Sequence, residues 1–185
     1  EIGALGVAER LAGVVSSAIK NAGVKPKAIG GVGIGVPGPI EPEEGIVVRC
    51  ANLGPTWDRF PLGATLSNLI RLPITIDNDV NVGAVGEVAF GAGRAARDVL
   101  AIFVGTGVGG GLVLDGKLRS GARNSAAEVG HMVILADGPL CGCGERGHAE
   151  ALCSRLAIER EIRAAIEAGR ETVIPQLLQA AGRSD

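Results

Sequence analysis

The chain has 185 residues and a net charge of −2, and 46% of it is hydrophobic, which excludes a disordered segment. It carries no Lys/Arg run that would make a nucleic-acid footprint, no apolar run long enough to cross a bilayer, and no opening stretch that reads as a signal peptide. Aromatics make up only 2% while glycine occurs 30 times, a balance that suits sheets packed on helices with glycine-rich turns.

Residues 2–22 space Ile2, Leu5, Leu11, Val14, Val15, Ala18 and Ile19 as a helix does, with Gly23 at the C-terminal cap position. Residues 28–36 predict a strand with glycines at alternate positions, which admit a close backbone, and Pro37-Gly38-Pro39 ends it in a turn. A short strand is expected over 46–50, a loop around Asn52, Leu53 and Trp57, and a helix over 61–71 that Pro61 opens and Leu72-Pro73 breaks. Residues 74–77 predict a β-branched strand running into Asn78-Asp79-Val80-Asn81 and a helix over 82–90. Asp79 therefore stands at a strand-to-helix junction, where such sheets hold ligands and where, equally, an Asp caps a helix. The division between two lobes is expected here, residues 1–78 against 79–185.

Residues 99–104 predict an apolar strand, followed by Gly105-Thr106-Gly107-Val108-Gly109-Gly110-Gly111 and a return strand over 112–114. A glycine-rich turn can aim several N–H groups at one phosphate. This one lacks the Gly-Lys-Ser/Thr of a Walker loop, and a strand follows it where a dinucleotide fingerprint would have a helix. Asp115-Gly116 signals a hairpin. Residues 120–127 read as a loop in which Asn124 and Ser125 either touch a ligand or cap a turn. A strand is expected over 131–135, a helix over 149–168 ended by Gly169, a last helix over 172–181 and a frayed end at 183–185. Glu150 falls in the first turn of its helix, where a carboxylate complements the dipole.

Residues 124–150 hold both histidines of the chain, His131 and His148, and two of its four cysteines, Cys141 and Cys143. Thiolate and imidazole are the ligands zinc prefers. Cys141 and Cys143 flank one glycine, and Gly144 and Gly147 let the chain turn back to deliver His148. The set predicts a closed, structural Zn²⁺ site with no vacant position. The alternatives are two ordinary small buried residues or a strained disulfide across a very small ring. The cluster, with Cys50 remote from it in sequence, points to a reducing cytoplasm.

Glu128-Val129-Gly130-His131, followed by Cys141-Gly142-Cys143-Gly144-Glu145-Arg146-Gly147-His148-Ala149-Glu150, resembles the ROK family (repressors, open reading frames and sugar kinases). That family's pattern is Glu-x-Gly-His and then Cys-x-Cys-Gly-x-x-Gly-Cys-x-Glu. The third cysteine is His148 here, which turns a site charge of −1 into a neutral one; Cys153 is a second candidate for that ligand. Asn52-Leu53 with Trp57, the Asn78-Asp79-x-Asn81 segment and the GTGVGGG run also match, the last resembling the second phosphate loop of actin-like sugar kinases.

The resemblance implies an α/β, actin-like ATPase (ribonuclease H-like) fold: two lobes with mixed sheets flanked by helices, plus a zinc loop. It implies a glucokinase-like hexose kinase with Asp79 as base. Gly38, Asn78, Glu128, His131 and Glu150 would contact the sugar. Gly105, Thr106, Gly107, Gly109 and Gly110 would contact the phosphates of ATP, which brings Mg²⁺. His131, Cys141, Cys143 and His148 would hold structural Zn²⁺. A ROK repressor's sugar-sensing domain, or a kinase for N-acetylmannosamine or fructose, is the alternative. Neither the family's Asp-x-Gly-Gly-Thr loop nor its adenosine-binding Gly-Gly segment occurs in these residues. The chain thus reads as the middle of a family member, inactive by itself, homo-oligomeric and without nucleic-acid or membrane partners of its own.

Overall fold

The structure is a computed structural model that describes residues 2–50 and 53–182. Asn52 and the end at 183–185 lie outside the described residues. Two compact units are present: residues 1–103 with 109–128, and residues 104–108 with 129–185.

In the first unit, α1 (Gly3–Asn21) begins without a side-chain cap of its own; instead the hydroxyl of Thr56 accepts from the Ala4 N–H at 3.1 Å. The helix buries Ala4 and Ala8, one turn apart on one face. Strand β1 (Val32–Val36) is shorter than the expected 28–36, because residues 26–28 form a 3₁₀ turn opened by Pro26. The expected strand over 46–50 shrinks to β3 (Ile46–Val47), which pairs antiparallel with β2 (Ile40–Glu41), a strand the sequence did not announce. Helix α2 (Leu62–Ile70) ends with Arg71 in the left-handed conformation.

Strand β4 (Ile74–Asn78) runs parallel to β1, with Gly35 opposite Asp77 and Val36 opposite Asn78, and passes directly into α3 (Asp79–Ala89). The lobe boundary expected at 78/79 therefore falls inside the first unit. Ala4, Ala8, Val36, Ile40, Val47, Trp57, Leu62, Leu66 and Ile76 form one buried core between α1, α2 and the strands. Trp57 and Phe60 meet edge to face with centroids 5.7 Å apart.

The three-stranded sheet has the order β5-β6-β7, with β5 Val99–Val104, β6 Val108–Leu114 and β7 Lys117–Leu118. The β6–β7 hairpin turns on Asp115 (φ 54°) and Gly116 (φ 72°), the two left-handed positions that an Asp-Gly turn supplies. Gly109 to Gly111, expected in a loop, belong to β6. Their small size serves packing: a Cβ at 109 would come within 2.6 Å of Val80 Cγ2, and one at 111 within 2.5 Å of Ala84 Cβ, so both admit α3 against the strand.

In the second unit the expected strand over 131–135 is reduced to one antiparallel bridge, Val133 opposite His148. Residues 129–131 make a 3₁₀ turn, and the next residues bond to the metal-type loop: Ile134 and Leu135 N–H both donate to Gly147 O, and Ala149 N–H to Met132 O. The expected helix over 149–168 is two helices, α4 (Ala149–Cys153) and α5 (Arg155–Glu167). Ser154 breaks it, with extended backbone and a hydroxyl that caps α5 by accepting from Ala157 N–H at 3.2 Å. Helix α6 (Ile174–Ala180) follows. Among the described residues no helix is long and apolar enough to cross a membrane.

Candidate functional site

The first group of candidate residues gathers at the β4–α3 junction. Asn78 is the cap of α3: its side-chain oxygen accepts from Val80 N–H at 2.9 Å and Asn81 N–H at 3.3 Å. Asp79 opens the first turn, is exposed, and among the described residues reaches with Oδ1 only the adjacent Val80 N–H at 3.0 Å. The capping role is thus carried by Asn78, leaving the Asp79 carboxylate at the surface beside the positive end of an 11-residue helix. Asp77 and buried Asn81, neither singled out from sequence, brace this pair: Asp77 Oδ1 accepts from Asn78 N–H at 2.6 Å and from Asn81 Nδ2 at 3.0 Å.

Asn78 Nδ2 donates to Gly38 O at 3.2 Å, which ties the turn after β1 to the junction. Gly38 has φ 95°, and a Cβ there would lie 2.3 Å from Arg49 O, so only glycine fits. Asn124 anchors its loop by donating to Ile40 O at 3.2 Å. Glu128 is exposed, and among the described residues no hydrogen bond joins it to Gly38, Asn78 or Asp79.

The glycine turn proper is residues 105–107, in the second unit. Gly105 N–H is already used, donating to Gly107 O at 2.8 Å, whereas the N–H groups of Thr106 and Gly107 meet no backbone acceptor among the described residues. Arg155, at the start of α5 and overlooked in the sequence, holds the turn from one side: its N–H donates to Gly105 O at 2.9 Å and its guanidinium to Thr106 Oγ1 at 3.3 Å. Glu150 holds it from another, Oε2 accepting from Val108 N–H at 2.9 Å.

His131, Cys141, Cys143 and His148 converge with their ligand atoms all within 4.8 Å of one another. His131 Nδ1 lies 3.4 Å from His148 Nδ1, Cys143 Sγ 3.2 Å from His148 Nδ1, and Cys141 Sγ 3.9 Å from His131 Nδ1. A zinc tetrahedron with bonds of about 2.0–2.3 Å has edges of roughly 3.3–3.8 Å; the 3.2 and 3.4 Å separations lie near that range and others, up to 4.8 Å, are wider, so two thiols and two imidazoles suit that ion by donor type and convergence. Cys141 and His148 are buried, while Cys143 and His131 face solvent. Burial raises the Cys141 thiol above its ordinary pKa; the Cys143 and Glu150 side chains push the same way, and a backbone hydrogen bond at Cys143 opposes them. A bound cation reverses that balance by favouring the thiolate. Cys153 instead bonds Ala149 O at 3.1 Å and is outside the cluster.

Residues 5–185 match the model of the ROK family. The chain belongs to the ROK family. Among curated ROK relatives it is 40% identical over 131 residues to a glucokinase of Halalkalibacterium halodurans, covering 70% of this chain and 39% of that one. It is 39% identical over 158 residues to a xylose repressor of Caldicellulosiruptor bescii, covering 85% of this chain and 39% of that one. Its structure is similar to a ROK glucokinase from Streptomyces griseus in complex with glucose and AMPPNP, with a TM-score of 0.82, 34% identity and coverage of 97% of this chain and 55% of that one. A ROK transcriptional regulator homologous to the E. coli MLC protein matches with a TM-score of 0.78 at 28% identity, over 90% of this chain and 41% of that one. The fold is therefore the α/β fold of ROK sugar kinases, of the actin-like ATPase class. The chain spans about 39% of the length of the two curated relatives.

Proposed function

We propose that the protein carrying this chain is an ATP-dependent hexose kinase, glucokinase-like, with Asp79 as its base. The observation that carries the reading is the β4–α3 junction, where Asn78 takes over the helix cap and the Asp79 carboxylate stays exposed. An exposed carboxylate at that position is placed to accept a proton from a hydroxyl. In the reaction a sugar hydroxyl gives its proton to Asp79, its oxygen bonds the γ-phosphorus, and the bond from that phosphorus to the β-phosphate oxygen breaks. Asn78, Gly38 and Glu128 orient the sugar. His131 turns Nδ1 to the metal cluster, so its Nε2 is the nitrogen left for a hydroxyl.

In the glycine turn, the N–H groups of Thr106 and Gly107 and the Thr106 hydroxyl are the donors for phosphate. Gly105 contributes shape, its own N–H being spent, and Gly109 and Gly110 act from within β6. Mg²⁺ arriving with ATP would supply charge neutralisation at the phosphates. His131, Cys141, Cys143 and His148 would hold structural Zn²⁺, which would fix the loop carrying His131 and the start of α4.

A second reading has an observation of its own: 39% identity to a xylose repressor across 85% of the chain. In a sugar sensor the same residues would hold sugar without transfer. The test is to assay the full-length protein with glucose and ATP in a coupled reaction, beside binding to promoter DNA. Glucose-dependent ADP release supports the kinase. Sugar binding without turnover, joined to sugar-sensitive DNA binding, establishes the sensor instead.

A further inference from the structure

Asp79 lies inside a span whose two ends are tied to one atom. Asp77 Oδ1 accepts from Asn78 N–H at 2.6 Å and from Asn81 Nδ2 at 3.0 Å, so a single carboxylate oxygen closes a clasp around Asp79 and Val80. Asn81 is 7% exposed, which commits its carboxamide to the interior. Against the clasp lies the bare backbone of β1: a Cβ at Gly35 would stand 3.0 Å from Asp79 Cα, nearer than side chains ordinarily pack. Gly35 is also the register partner of Asp77 across the parallel pair. From these contacts we infer that Asp77 is a positioning residue for the proposed base, holding the main chain at Asp79 through Asn78 and Asn81. The inference rests on the kinase reading above, which assigns Asp77, Asn81 and Gly35 no contact with sugar or phosphate.

The physical argument is one of tolerance. Asp79 is exposed, and among the described residues its carboxylate bonds only the adjacent Val80 N–H. Its side chain is not held by distant partners, so its place comes from the main chain on either side. A general base works within hydrogen-bond reach of the proton it takes, about 2.6–3.2 Å, and a misplacement of about 1 Å can cost roughly 10²-fold. Hydrogen bonds to a carboxylate are shorter and stronger than neutral ones, which suits Asp77 to the task. The cap bonds of α3 are made by Asn78 Oδ1, not by Asp77. Loss of the clasp therefore leaves the helix its cap while its first turn loosens.

The experiment is steady-state kinetics of the full-length protein with glucose and ATP, in wild type, Asp77→Ala, Asp77→Asn, Asn81→Ala, the Asp77→Ala/Asn81→Ala pair and Gly35→Ala. Asp77→Ala should lower kcat roughly tenfold or more while KM for glucose moves less than about threefold, the split expected when the base is displaced and ground-state binding is kept. Asn81→Ala should lower kcat similarly, and the pair should be no worse than the worse single change, because each removes the same clasp. Asp77→Asn keeps an oxygen for both donors and should restore most of kcat. Gly35→Ala presses on the Asp79 Cα without touching the clasp and should also lower kcat, so the idea stays testable if Asp77→Ala fails to fold. Wild-type kcat in Asp77→Ala, an Asp77→Asn as slow as Asp77→Ala, or losses at 77 and 81 that simply multiply would each overturn the clasp and leave the kinase reading standing. A wild type without turnover overturns the kinase reading and the clasp together.

Discussion

Among single residues, the four proposed metal ligands make the sharpest claim. Four soft donors within 4.8 Å have no ordinary packing reason to converge, since two of them, His131 and Cys143, are exposed. Elemental analysis of protein purified without added metal should give near-stoichiometric zinc, and Cys141→Ser should lose it; a folded chain free of zinc refutes the site. Gly38 makes a claim of a different kind. A side chain there meets Arg49 O at 2.3 Å in a left-handed backbone, so Gly38→Ala should destabilise the first unit by about 1–3 kcal/mol, the cost of a strained position, as measured by urea unfolding. An unchanged midpoint would mean that the turn relaxes freely. The convergence of the four side chains was readable in the sequence because the residue types are rare and clustered. Arg155 and Asp77 were not, because their partners, Thr106 and Asn81, give no sign of a pairing until the chain is folded.

Secondary-structure elements were legible where periodicity and punctuation agreed. Helix α1, the β4–α3 junction and the Asp115-Gly116 hairpin all carry both signals. They misled where an apolar run found only a single bridge, Val133 opposite His148, and no continuous ladder. Met132, Val133, Ile134 and Leu135 look like a strand but are all at least half exposed, and their backbone bonds to the loop around Gly147. Glycine ambiguity hid the start of β6, because 109–111 read as a loop until α3 lies against them. Ser154 hid inside a helical pattern as the cap of the next helix. The junction itself yields a test: Asn78→Ala removes the acceptor for two N–H groups of α3 and should cost about 1 kcal/mol, read as a shift in unfolding midpoint. Asp79→Ala should cost less than Asn78→Ala; the reverse would return the cap to Asp79.

At the scale of the whole molecule, the first unit contains the apolar core and the second contains the His/Cys cluster. Trp57, the chain's single tryptophan, is 3% exposed within that core and so reports on the first unit alone. Leu66→Ala in the same core should cost about 2–5 kcal/mol in Trp57-monitored unfolding without altering zinc content. The central claim, that the complete protein is a sugar kinase working through Asp79, is tested most directly by Asp79→Asn in the full-length protein. This change keeps size and polarity and removes the base. Calorimetry should show glucose binding largely retained, while the coupled assay with ATP shows turnover reduced roughly 10²–10⁴-fold. Turnover near that of the wild type would contradict the account.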